Sequence, residues 1–229
     1  MEDAEARRQL QTLSTQPNVS IERHARILRA LRDEEGFAPR VIYDIGAGVL
    51  HWSRQVSDIW PEARMVVFDA NPDVQALYAE HGPPDFHLGV LSRVDDQVVK
   101  FWYSRDLPYG NSYYRQSDGT PGAASYDQFL ELRTRTLDSV VQERGWPVPD
   151  LVKVDVQGAE RDIIEGGLET LRDAEYLIVE MQHEPFNSGA PLAAATLPWL
   201  RSLGWELLMP RFSDNGPDAD YLFRKQPQG

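Results

Sequence analysis

Val41-Ile-Tyr-Asp-Ile-Gly-Ala-Gly48 is a short apolar run that ends in an acid and breaks into a glycine turn. A buried strand entering a tight turn before a helix has this pattern. Downstream, Met65–Asp69 and Phe86–Leu91 repeat the apolar run, and helical stretches separate the three. Strand, helix and strand in alternation predict a parallel sheet. Val98–Tyr103 and Glu131–Arg135 predict extra strands, and Thr136 an N-cap for a helix through Arg144. Leu151–Asp155 predicts a strand, Glu160–Arg172 a helix and Tyr176–Met181 a further strand. A helix ending near Leu203–Gly204 precedes strands at Trp205–Met209 and Asp220–Arg224, which have no room for a crossover helix and so close as an antiparallel hairpin. Upstream, helical patterns run around Ala4–Leu13 and through Ile21, Ala25, Leu28 and Leu31, and Pro39 closes them. The expected fold is α/β: a doubly wound, mostly parallel seven-stranded sheet over residues 39–229 behind a helical extension over 1–38.

The 229 residues suit one such domain. With 41% hydrophobic and 26% charged residues the chain can bury a core. Its 36 acidic against 23 basic residues give a net charge of -13, which repels nucleic-acid phosphates and anionic membranes. The absence of cysteine removes disulfides, thiolate metal sites and cysteine nucleophiles. No signal-peptide pattern opens the sequence and no apolar run is long enough for a membrane span, so a cytoplasmic protein is expected.

In a doubly wound sheet, ligands sit beyond the carboxyl ends of the strands, where glycine lets the backbone approach them. Gly46, Ala47 and Gly48 form that loop, although a ligand-free turn also satisfies a lone glycine pair. A dinucleotide fingerprint would place a third glycine at position 51, which is His51. Asp44 can accept a hydrogen bond from a cationic amino group and would repel a pyrophosphate. Phe68-Asp-Ala-Asn-Pro72 follows, with Asp69 23 residues past Gly46. An acid there accepts ribose hydroxyls, or only caps the next helix. Together Asp44 and Asp69 favour a cationic nucleoside.

Leu151-Val-Lys-Val-Asp-Val-Gln-Gly-Ala-Glu160 is the most specific segment. Together with Asp-Ile-Gly-Ala-Gly, Phe-Asp-Ala-Asn-Pro and Arg135-Thr-Leu-Asp-Ser139, it resembles the FkbM family of S-adenosylmethionine-dependent O-methyltransferases over roughly residues 40–182. The resemblance implies a class I, Rossmann-like methyltransferase fold, for which the closing hairpin is also characteristic, and methyl transfer to a hydroxyl. It implies that Gly46, Ala47 and Gly48 face the methionine part of the cofactor, that Asp69, Ala70 and Asn71 surround the ribose, and that Gly89, Val90 and Leu91 face the adenine. Members of the family often have Asn in place of Gly48, a further Gly in place of Leu50 and Glu in place of Gln157.

Methyl transfer needs an acceptor oxygen in line with the sulfur and a group to take its proton. Asp155, at the end of its strand, is the first candidate, unless it only bonds the turn amides at Gly158 and Ala159. Glu180 and His183 lie at the end of the next strand, and alternation puts them on opposite faces unless the chain turns at His183. His24, His51, His81 and His87 are read as surface or packing residues. Magnesium on Asp155, Glu180 and His183 is open but not favoured, because no metal-binding helix or loop pattern accompanies them. Six aromatic residues between Phe101 and Tyr114 suit a sugar ring, with Asn111, Ser112 and Tyr113 as candidate acceptor contacts. The expected acceptor is a small-molecule or glycan hydroxyl; a polyketide acceptor, an NAD-dependent oxidoreductase and a homodimer remain open.

Overall fold

The computed structural model describes residues 2–16, 18–105, 108–120 and 122–226. Met1, Pro17 and residues 227–229 of the expected division, and Asp106 and Leu107 of the aromatic segment, lie outside them. Helices α1 (Glu2–Ser14) and α2 (Val19–Glu34) come first, followed by β1 (Val41–Ile45), α3 (His51–Ile59), β2 (Arg64–Asp69), α4 (Gln75–His81) and β3 (Asp85–Leu88). Strands β4 (Val90–Leu91), β5 (Val98–Tyr103) and β6 (Gln128–Arg135) form a separate sheet in the order β4-β6-β5. The chain continues through α5 (Leu137–Arg144), β7 (Leu151–Val154), α6 (Glu160–Glu165), β8 (Tyr176–Gln182), α7 (Ala193–Ser202), β9 (Trp205–Asp214) and β10 (Asp218–Lys225). The main sheet has seven strands in the order β3-β2-β1-β7-β8-β10-β9. β10 runs antiparallel to both β8 and β9, and the other pairings are parallel. Strand order therefore reverses between β1 and β7, and that switch point opens the cleft.

Alternation along each strand divides the core in two. Tyr43, Val66, Val152, Val179 and Tyr221 face α5, α6 and α7, while Ile42, Val67, Leu151, Ile178 and Leu222 face α1 to α4. Ala25, Leu28 and Leu31 of α2 are buried in the second layer, so the expected helical extension shares a core with the sheet. Two residues at the broken glycine fingerprint hold it there. His51 Nε2 donates to Leu13 O at 2.8 Å, and the Trp52 indole donates to His24 Nδ1 at 3.2 Å.

Two expected elements come out differently. The single run Phe86–Leu91 breaks at Gly89, whose N–H bonds Asp69 O at 2.9 Å, and Val90 and Leu91 then pair with Thr134 and Arg135 of the second sheet. The helix expected through Arg172 ends at Glu165, where the Gly166–Gly167 pair weakens it and the backbone packs too closely on Ser92 for any side chain at 166. A Cβ on Gly166 would lie 2.1 Å from Ser92 O. Thr136 does cap α5, its Oγ1 accepting from Ser139 N at 3.1 Å.

Candidate active site

A cleft of about 390 Å³ lies across the carboxyl ends of β1, β2, β7 and β8. On one side the chain leaves β1 through Gly46 and Gly48, both with positive φ. Gly46 and Ala47 donate to Phe68 O at 2.9 and 3.1 Å, which fixes the loop on β2. A Cβ on Gly46 would lie 1.8 Å from Asp155 O, whereas one on Gly48 would meet nothing within 4 Å. The first glycine thus joins two strand ends and the second presents bare backbone to the cleft. Asp69 Oδ2 accepts from Gly48 N and Oδ1 from Asn71 N, at 2.7 and 2.8 Å. Asp69 itself lines the cleft, where a carboxylate can accept from ribose hydroxyls. Ala70, Gly89, Val90 and Leu91 complete this wall.

Three residues expected to touch the cofactor do not line the cleft. Asp44 is wholly buried beneath it, accepting from Ser53 Oγ. Asn71 is buried and caps the turn at Pro72, its Oδ1 accepting from Asp73 N at 3.0 Å. Ala47 packs into the core. They shape the loop from behind.

The other side carries charge. On this face of adjacent strands, Asp44 pairs in register with Lys153, and Glu180 with Asp220. Lys153 Nζ lies 2.6 Å from Asp155 Oδ2 with its side chain 5% exposed. Burial opposes the Lys153 charge, yet Asp155, Asp44 and Asp220 raise its pKa. Burial pushes Asp155 up, but Lys153 and hydrogen bonds from Glu180 and Gln157 hold it below the ordinary carboxylate value. Glu180 goes the other way: burial, Asp155, Asp218 and Asp220 push it well above the usual range, favouring its protonated form. Gln157 donates to both Asp155 and Glu180. Capping the Gly158 turn falls to Glu160, whose Oε1 accepts from Val156 N and Gly158 N at 3.0 Å each, so Asp155 is spared that task.

His183 is not in the cleft. Its N–H donates to Pro217 O at 2.7 Å, and its ring sits with Tyr221, whose hydroxyl is 3.2 Å from Nε2, on the opposite face from Glu180. Strand alternation carries past Gln182 and separates the pair. In its place stands His24 of α2, 1% exposed, with Nε2 2.9 Å from Asp220 Oδ2. Indole N–H is only a donor, so Nδ1 of His24 accepts from Trp52 and Nε2 carries the proton to Asp220. Sequence reading took His24 for a surface or packing residue and gave Asp220 no role at the site, although His24 stands three residues past Ile21 on the apolar stripe, where a polar side chain is conspicuous.

Asn111, Ser112 and Tyr113 line the same cleft as Asp155 and Glu180, and the Tyr113 hydroxyl lies 3.3 Å from Ser92 Oγ, just past Leu91. Their polar groups mostly serve the loop. Asn111 Oδ1 accepts from Ser104 N at 2.9 Å, Ser112 Oγ from Tyr114 N at 3.1 Å, and Tyr113 OH donates to Asp162 Oδ2 at 2.9 Å. Among the described residues Asn111 Nδ2 is buried without a partner, a donor for a ligand in the cleft. Trp102 stacks edge-on with Phe129 and supports the strand.

Among the described residues no three His, Asp or Glu side chains are grouped to hold a metal ion, so the donor set does not fit magnesium and no step runs through one. Among the same residues no helix is long and apolar enough to cross a membrane.

The burial of so many carboxyls makes stability depend on pH. Burial raises Glu160 to about 7, Asp44 and Asp218 to about 6, and Glu180 well above its usual value. Each folded value exceeds the unfolded one, so the stability each confers is full below the unfolded value and is lost as pH rises through the folded value. Burial lowers His87, to about 4, as well as His51 and His183, which removes stability as pH falls below their ordinary 6.5. Above that point the histidine contribution fades and the carboxyls dominate. The ligand-free protein is expected to melt at higher temperature at about pH 6.5 than at about pH 8 by calorimetry; an equal or lower Tm at the lower pH would contradict the burial of these acids.

The reversed strand order, the antiparallel β10, the glycine loop and the acid ending β2 define a class I methyltransferase that uses S-adenosylmethionine. The family model of the methyltransferase FkbM domain matches residues 44–207, and the chain belongs to that family. This sets aside the oxidoreductase alternative. The chain is 28% identical over 222 residues to the 2-O-methyltransferase NoeI of Sinorhizobium fredii, covering 91% of this chain and 87% of that protein. It is 24% identical over 152 residues to the hexuronic acid methyltransferase AglP of Haloferax volcanii, covering 65% of this chain and 58% of that one. The fold is similar to an O-methyltransferase family 2 protein of Planctomyces limnophilus in complex with apigenin, with a TM-score of 0.52 at 13% identity over 99% of this chain and 62% of that one. Human N-acetylserotonin methyltransferase in complex with S-adenosylmethionine gives a TM-score of 0.50 at 13% identity, covering 97% of this chain and 56% of that chain.

Proposed function

We propose that this enzyme transfers the methyl group of S-adenosylmethionine to a hydroxyl of a carbohydrate acceptor. The observation that carries the reading is the two-ended cleft, with a backbone-lined loop on one side and hydrogen-bonding acids with an amide on the other. In this reading Gly46 and Gly48 approach the methionine part, Asp69 accepts both ribose hydroxyls, and Gly89, Val90 and Leu91 cover the adenine, with Ala70 beside the ribose. Asp44, Ala47 and Asn71 hold that loop. The acceptor then lies on the side of Asp155 and Glu180, where a polyol finds partners for several hydroxyls at once. The names of the two relatives, a 2-O-methyltransferase and a hexuronic acid methyltransferase, support a sugar acceptor.

The enzyme's task is chiefly positional. Its acids and amide orient the sugar so that one oxygen stands about 3 Å from the methyl carbon and opposite the sulfur. Labelled S-adenosylmethionine incubated with a methyl glucuronoside, neutral methyl hexosides and a flavonoid tests this. Label in a glycoside is expected, and label in the flavonoid alone would overturn the carbohydrate reading. Asp69→Ala is expected to weaken S-adenosylhomocysteine binding about tenfold or more in a calorimetric titration, because two charge-assisted hydrogen bonds are lost. Unchanged affinity would remove Asp69 from the ribose site.

A further inference from the structure

The acids on the acceptor side differ in the bonding capacity they have left. Asp155 is taken up by Lys153 at 2.6 Å and by Gln157. Glu180 is bonded by Gln157 and crowded by other acids. Asp220 differs from both. It is 2% exposed and lines the cleft; His24 occupies Oδ2, and Oδ1 has no hydrogen-bond partner among the described residues. A buried carboxylate oxygen is costly to leave without a donor. Asp220 borders the cleft, so a hydroxyl of whatever enters there can supply one.

We propose that Asp220 Oδ1 takes the hydrogen bond of the acceptor hydroxyl and then its proton, with His24 as the residue that positions it. The inference rests on the methyltransferase reading above and adds the base to it. The step balances. A lone pair of the hydroxyl oxygen forms the new C–O bond, the sulfur–methyl bond breaks with its electron pair left on sulfur, and the hydroxyl proton passes to Oδ1 of Asp220. His24, fixed in one tautomer by Trp52, keeps Oδ2 occupied and so turns Oδ1 toward the acceptor. The N-terminal helix therefore supplies a working part of the site through His24, and Asn18 and Ile21 of the same segment line the cleft beside it.

Sinefungin carries an amine at the position of the transferable methyl group, so its binding reports on charge there without any acceptor. Sinefungin and S-adenosylhomocysteine are titrated against the wild type, Asp220→Asn and Asp218→Asn; Asp218 does not line the cleft. In Asp220→Asn the preference for sinefungin is expected to fall about fivefold to tenfold, with the affinity for S-adenosylhomocysteine within about twofold of wild type. Asp218→Asn is expected to leave the preference within about twofold. An unchanged preference in Asp220→Asn, or an equal change in Asp218→Asn, overturns the proposal. With any glycoside the wild type methylates, Asp220→Asn is expected to lose about a hundredfold or more in kcat with little change in KM. Turnover within about threefold of wild type overturns the assignment. His24→Gln, which keeps a donor near the position of Nε2, should retain most of kcat, and His24→Leu should lose it; equal loss in both overturns the positioning role. If no glycoside is methylated but the sinefungin preference still depends on Asp220, the carbohydrate reading fails and the place of Asp220 beside the methyl group stands.

Discussion

Lys153→Met is expected to destabilise the protein by about 3–5 kcal/mol at neutral pH, because it strips the counter-charge from a buried group of acids. The ammonium lies 2.6 Å from Asp155, and Asp44 and Asp220 also act on it electrostatically. Methionine fills similar volume, so the loss is electrostatic. Once Lys153 is gone, burial dominates and the folded-state value of Asp155 rises above its unfolded one. The sign of its pH dependence then reverses. In the wild type Asp155 adds stability above its unfolded value, lost as pH falls through the lowered folded value; in the variant the fold recovers as pH falls and the acid protonates. Urea unfolding at about pH 7.5 and about pH 5 should show the gap narrowing at the lower pH. Lys153→Met combined with Asp155→Leu should recover part of the loss, since removing both partners leaves no orphaned charge. A single variant as stable as the wild type would show that the ammonium is not the counter-charge of this group.

Gly46→Ala should have the other large effect. Gly46 has φ +86, and the added Cβ would lie 1.8 Å from the carbonyl oxygen of Asp155. That atom is backbone at the end of β7 and cannot swing aside, so β1 and β7 must part where Asp155 N bonds Ile45 O at 2.9 Å. A loss of about 3 kcal/mol or more is expected, together with loss of measurable S-adenosylhomocysteine binding. Gly48→Ala is the contrast. Its φ is +51 and its Cβ would meet nothing within 4 Å, so only the left-handed conformation is penalised, at about 1–2 kcal/mol. Equal effects in the two variants would rule out the strand-to-strand contact.

Local signals carried most of the fold. Runs such as Leu151–Val154 and Tyr176–Gln182 are buried throughout, and Thr136 with Gly145 brackets α5 with a side-chain cap and a left-handed exit. The break at Gly89 was not legible, because Phe86–Leu91 is apolar on either side of it and the change of sheet depends on Thr134 and Arg135, far along the chain. The glycine loop and Asp69 were legible because one short segment contains each. His24 and Asp220 were not: they are 196 positions apart, and each alone reads as an ordinary helix or strand residue. The separation of His183 from Glu180 was legible as strand alternation, and what the sequence left open, a turn at His183, is closed by β8 extending to Gln182. Asn111, Ser112 and Tyr113 were matched to a sugar by chemistry, and they line the cleft.

Asn18, just before α2, and Ile21 and His24 within it reach the cleft from the start of the chain, whereas Gly46, Asp69 and Asp155 reach it from the strand tips of the sheet. The cleft is therefore closed by two distant stretches of sequence, and the bonds of His24 to Trp52 and Asp220 are the joints between them.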